Sequence, residues 1–131
     1  MERKIVNPWE FQDKSGFVQA NDITNFRRIL FCAGQSSVDS EGRPVNRGDM
    51  RAQIILALDN LETVLRQAGL NLSNVVRLNY YTTDLDRFFK EHAIIISRLA
   101  NSNCKPASTL LCVTRLAFPE LLVEIEATAV A

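Results

Sequence analysis

At 131 residues the chain is long enough for one domain with a real hydrophobic core, and 47% hydrophobic with 23% charged content is the balance of an ordinary globular protein. Fifteen Lys and Arg cancel fifteen Asp and Glu, so no net field draws in nucleic acid or an anionic membrane. The three cysteines (Cys32, Cys104, Cys112) lack CxxC or metal-site spacing and there is one histidine, which argues against a Cys/His zinc site.

No apolar run reaches bilayer-spanning length, and the charged "MERKIVNPWE", broken by Pro8, is no signal peptide. Residues 1–131 are therefore expected to form one reduced, cytoplasmic domain without metal or cofactor.

In chain order, "IVNP" and "FVQAND" allow two short strands. "RRILFCAGQ" predicts a buried strand over Ile29 to Ala33, stopped by Gly34, and "VDSEGRPV" is a turn rich in Asp, Ser, Gly and Pro. "GDMRAQIILALDNLETVLRQAGL" predicts a helix capped by Asp49 and ended by Gly69, with Ile54, Leu58, Leu61, Leu65 and Ala68 on one face. "NVVRLNYYTTD" alternates as a strand, setting Val76, Leu78, Tyr80 and Thr82 against Val75, Arg77, Asn79 and Tyr81.

A second helix is expected from Asp84 to about Ala100, burying Phe88, Phe89, Ile95, Ile96 and Leu99. After Pro106, "TLLCVTRLAF" reads as a strand, and beyond a turn at Pro119 "LLVEIEATAV" reads as the last one. Two helices on one face of a mixed sheet bury every apolar stripe, so the expected class is α+β.

The polar features admit more than one reading. Glu124, Glu126 and Thr128 alternate with the apolar Leu121, Val123, Ile125, Ala127 and Ala129, which one wet sheet face would explain. Alternatively, one carboxylate lies in a cleft, where partial burial raises its pKa and suits it to proton exchange. His92 projects near the middle of the second helix's apolar stripe, as a core histidine or as one facing a cleft or subunit interface. Cys112 shares a strand face with Ser108, Leu110 and Thr114 and has no adjoining base, so it reads as a buried, inert thiol. Arg27 and Arg28 read as loop charges, and nothing matches a phosphate loop, a nucleophile elbow or an RNA-binding aromatic signature.

Several segments together resemble the RidA family, also called the YjgF or endoribonuclease L-PSP family. They are "FVQA", "LFCAGQSSVDSEGRPV", "GDMRAQIILALDNLETVLRQAG", "NVVRLNYYTTDLDRFFKEH", the region around "KPASTLLCVTRL", and "LLVEIEATAV", in the family's order. The resemblance implies a chorismate-mutase-like fold, a homotrimer with three clefts between subunits, and hydrolysis of reactive enamines and imines such as 2-aminoacrylate to the keto acid and ammonia. It further implies a cleft arginine that grips the substrate carboxylate and a last-strand glutamate that manages water and protons.

Carried over by position, that glutamate is Glu124, and Gly34 with Gln35 matches a strand-end Gly-Gln where backbone can approach a ligand. The rest departs from the pattern: the arginine position holds Ser108, the early tyrosine is Phe17, the serine before Gly-Gln is Ala33, and a helix asparagine is His92. A neutral serine cannot make a charge-assisted pair, and the direction of nearby Lys105 is not readable. The expected site is a cleft retuned for a less anionic small molecule, with Glu124 and His92 as its ionisable pair. For Glu126 the wet face stands. A non-catalytic binder or sensor in the same cleft is the alternative, and a ribonuclease is disfavoured by the balanced charge.

Overall fold

The computed structural model describes all of residues 1–131. Strands β1 (Glu2–Val6) and β2 (Ala20–Thr24) form an antiparallel hairpin; β3 (Ile29–Ser36), helix α1 (Met50–Gln67), β4 (Val75–Thr82), α2 (Leu85–Asn101), β5 (Ala107–Cys112) and β6 (Val123–Val130) follow. The main sheet has the order β3-β6-β4-β5, antiparallel except for the parallel β4–β5 pair. A parallel pair needs a crossover, and α2 supplies it.

Both helices start where an aspartate side chain replaces the missing acceptor of the first turn. Asp49 accepts from the Ala52 amide at 3.0 Å and Asp84 from the Arg87 amide at 3.0 Å. They end alike, with left-handed residues at Gly69 (φ 73°) and Asn103 (φ 49°), after which Leu70 and Cys104 donate back to Leu65 and Leu99 at 2.8 Å. Between the caps, Ile54, Ala57, Leu58, Leu61 and Leu65 of α1 and Phe88, Ile95 and Leu99 of α2 are fully buried. They pack against Leu78 and Tyr80 of β4 and Ile125 and Ala127 of β6. The helices share one sheet face, joined by Arg98, which ion-pairs with Asp59 at 2.5 Å and with Glu62.

Several segments differ from the sequence expectation. β3, expected to be buried and stopped by Gly34, runs on to Ser36, and as an edge strand it leaves Ile29, Phe31 and Ala33 exposed. The strand expected to run through Phe118 stops at Cys112: the strand that pairs along β5, β4, ends at Thr82, so after Val113 donates to the Thr82 carbonyl at 2.8 Å no rung is left. For the same reason Cys112 is exposed rather than buried. Phe89, expected inside, is 57% exposed at the stripe's margin, edge-on to Phe88 and His92.

The last strand begins at Val123, not Leu121, because Leu122 turns its backbone elsewhere. Its carbonyl accepts from the Thr82 hydroxyl at 2.8 Å, and its N–H donates to Gln53 Oε1 at 2.8 Å. Gln53 has no exposed surface, and its Nε2 also donates to the carbonyls of Glu120 (2.9 Å) and Asn46 (3.1 Å). One side chain of α1 thus fixes the approach to β6. Gln53→Leu keeps the bulk but leaves these backbone groups unpaired, and should cost about 2 kcal/mol in urea unfolding.

The opposite sheet face carries no helix. Across it run Arg77, Asn79 and Tyr81 of β4 beside Thr128, Glu126 and Glu124 of β6. At its margins Phe31 is 78% and Leu111 50% exposed.

Candidate active site

Glu124 lies on this open face, half-buried, opposite Ser36 of β3 and Tyr81 of β4. Its position depends on an irregularity in β3. Cys32 pairs with Ala127 and Gln35 with Ile125, so the two residues Ala33 and Gly34 stand against one on β6. That is a β-bulge, a device that re-aims side chains. The Glu124 carboxylate fills the space where Gly34 lacks a side chain: an ideal Cβ there would be 1.9 Å from Glu124 Oε1. Gly34 is not among the glycines with positive φ, so it supplies room rather than an unusual backbone angle. Gln35 folds back on the bulge, donating from Nε2 to the Ala33 carbonyl at 3.1 Å.

Glu126, two residues on, does not simply meet water. Asn79 donates to it at 3.0 Å and the Tyr81 hydroxyl donates to the same oxygen. These bonds, Tyr81's first, hold its carboxyl below the usual carboxylate range, and the Tyr81 phenol is raised in return, chiefly by that bond. A carboxylate so stabilised is a poor base. The Glu124 carboxylate makes no hydrogen bond or ion pair within the chain and keeps its lone pairs free for a ligand or water.

The cluster of Arg77, Asn79, Tyr81 and Glu126 was not singled out from sequence. Arg77 donates to Thr109 Oγ1 at 2.9 Å, and Asn79 Oδ1 is buried without a partner. The alternation of "RLNYYT" puts the first three on one face. Only the strand register puts them against Glu126.

The remaining expected residues gather elsewhere. Ser108 of β5 stands opposite Leu78, whose side chain faces the helices, so Ser108 is on the helix side. Phe17 reaches the same region: Val18 bridges to Ala107, its N–H donating to the Pro106 carbonyl at 2.9 Å. Phe17 and Lys105 line one cavity of about 450 Å³. Lys105 is exposed, and its backbone carbonyl holds the β1–β2 hairpin by accepting from Arg3 and from Asn21 Nδ2 (3.0 Å).

His92 is half-buried on α2, its ring 5.6 Å from Phe88 and 6.1 Å from Phe89. Phe88 in turn meets Tyr80 at 5.8 Å on the core face. Within one chain Glu124 and His92 therefore occupy opposite sides of the sheet. The pairing expected from sequence is not made inside one copy, because period-two alternation sends Glu124 away from the face that α2 covers.

Burial lowers the His92 pKa. Below the ordinary histidine value of about 6.5 the unfolded chain then binds more protons than the folded one. Its contribution is full above that pH and is lost as pH falls through the lower folded value. Urea unfolding at pH 7.5 and 5.5 should show a stability loss on acidification that His92→Asn reduces.

No three His, Cys, Asp or Glu side chains are grouped to hold a metal ion, and no helix is long and apolar enough to cross a membrane. The sequence model of the endoribonuclease L-PSP family matches residues 11–131. The chain belongs to that family. Within it, a RutC family protein of Pyrococcus abyssi is 33% identical over 113 residues, covering 86% of this chain and 84% of the relative. The 2-iminobutanoate/2-iminopropanoate deaminase of Escherichia coli is 30% identical over 115 residues, covering 87% and 86%. The crystal structure of YyfB from Yersinia pestis, a Rid family protein of unknown function, superposes with a TM-score of 0.88 at 34% identity over 100% of both chains. The α+β architecture of two helices on a mixed sheet is thus the Rid fold.

Proposed function

We propose that this Rid protein hydrolyses a small enamine or imine in a cleft shared between copies of the chain, assembled as a homotrimer. The observation that carries the reading is the Glu124 carboxylate, seated on Gly34 and free of internal bonds while Glu126 beside it is tied up. The deaminase activity named for the Escherichia coli relative supports the reaction class.

In this reading one copy contributes Glu124, Ala33, Gly34 and Gln35, and another contributes Phe17, His92, Ser108 and Lys105. That division follows the two sides of the sheet on which the groups stand. Glu124 takes a proton from water as its oxygen bonds to the C=N carbon, and the nitrogen gains a proton. Glu124 then takes the hydroxyl proton of the resulting carbinolamine and a proton is delivered to its nitrogen, so the C–N bond breaks, ammonia leaves and a carbonyl forms. His92, kept neutral by burial near pH 7, can accept or relay a proton but offers no fixed positive charge. With Ser108 replacing a guanidinium, the cleft favours substrates less anionic than the usual imino acids.

The test is to generate imines in situ with amine oxidases and amino-acid oxidases, trap them with semicarbazide, and compare rates of loss with and without the protein. Faster loss of carboxylate-free imines is expected. Faster loss of carboxylated ones alone would mean that another cation, Lys105 first, replaces the arginine. A monomer in sedimentation would sink the shared cleft.

A second reading, a binder or sensor without chemistry, is favoured by the loss of polar groups at Ser108, Phe17 and Ala33. Thermal stabilisation by a ligand left chemically unchanged would select it.

A further inference from the structure

We infer that the substrate carries a bulky apolar group, and that this group lies in the cavity between the N-terminal arm and α2. The inference rests on the proposed hydrolase reading and names the substrate class for the same cleft. The cavity, of about 450 Å³, is within the size range of small-molecule sites. Its wall is mostly apolar, with Phe17 and Val18 from the arm and Ile96 and Leu99 from α2. Asp13 and Lys105 add one charge of each sign, so the lining has no net preference for an anion or a cation.

The cavity adjoins the positions proposed to handle the reacting end. Ile96 is one helical turn beyond His92. Val18, next to Phe17, bridges to Ala107, and Ser108 follows. A substrate whose C=N group lies near His92 and Ser108 can therefore extend its other end along Phe17 into the cavity. Phenylalanine in place of tyrosine suits this, since it removes a hydroxyl that would need a partner against an apolar group.

The wall is also built in advance. Gln12 is wholly buried, its Nε2 donating to the Trp9 carbonyl (2.7 Å) and to Asp13 Oδ1 (3.1 Å) and its Oε1 accepting from Gln19 (3.2 Å). Gly16 lets the arm approach α2 closely; an added Cβ would sit 3.3 Å from Ile96 Cγ1. The fold itself thus holds the wall in place, and an apolar group entering the cavity gains the transfer free energy of its buried surface.

The test measures kcat/KM in two series: carboxylate-free imines made by an amine oxidase from ethylamine, isopentylamine and phenethylamine, and carboxylated imines made by an amino-acid oxidase from alanine, leucine and phenylalanine. Within each series the head group is matched and side-chain size is the variable. In whichever series is hydrolysed, the two larger imines should turn over at least tenfold more efficiently than the smallest. Ala100→Leu and Ile96→Phe, which add bulk to the cavity wall, should each reduce that ratio at least fivefold. Ala100 is exposed on the helix and leucine is a good helix former, so at least one variant should fold. Hydrolysis with no preference for the larger imines, or with a ratio that both folded variants leave intact, overturns the cavity assignment and spares the hydrolase reading. Hydrolysis of no imine by the wild type overturns both.

Discussion

Glu124→Gln should lower kcat/KM for imine hydrolysis by about 10²–10⁴-fold, the usual worth of a positioned acid–base group, with unfolding midpoint and assembly unchanged. Glutamine has nearly the same shape, so it can occupy the space over Gly34 that the carboxylate fills. It disturbs no internal bond, because the Glu124 side chain makes none. What it removes is basicity alone. The informative control is Glu126→Gln. There the acceptor for Tyr81 and Asn79 is weakened, so the Tyr81 phenol should titrate closer to its ordinary value, and activity should fall less than in Glu124→Gln. Equal turnover by wild type and Glu124→Gln would rule out the proposed chemistry. A larger loss from Glu126→Gln would move the base to the other carboxylate.

The contrast between these two glutamates marks how far the sequence could be read. Period-two alternation places Glu124 and Glu126 on one face of the last strand, and resemblance selects Glu124. Neither shows that Asn79 and Tyr81 hold Glu126, because that depends on which β4 residue faces which β6 residue. Register is a tertiary property, fixed by the packing of Ile125 and Tyr80 beneath the helices. The caps of α1 were legible for the opposite reason: Asp49 and Gly69 act within one turn of their own sequence position. The end of β5 was misjudged because "TLLCVTRLAF" has strand composition throughout, while its length is set by the point at which β4 stops. The separation of Glu124 from His92 follows from the same limit. Each residue's face is readable along its own element, but their relation requires knowing which sheet face the helices cover.

Gly34→Ala addresses the one site contact that the bulge creates. The sequence reading gave Gly34 a role in letting backbone approach a ligand; the structure gives it an occupant already, the Glu124 side chain. An alanine Cβ would lie 1.9 Å from Oε1, 2.6 Å from Cδ and 2.9 Å from Cγ, so the carboxylate must leave for another rotamer. The backbone at residue 34 is not left-handed, and the displaced atoms end a flexible side chain, so folding should survive. Displacing a catalytic group by an ångström or more costs on the order of 10²-fold in rate, and kcat should fall further than KM rises. The double variant Gly34→Ala/Glu124→Gln separates the two roles. If Gly34 acts only by seating the carboxylate, the double variant is no slower than Glu124→Gln alone, because the group that alanine displaces has already lost its basicity. If the two losses multiply instead, Gly34 acts on the ligand directly, and its backbone contributes to the cleft independently of Glu124.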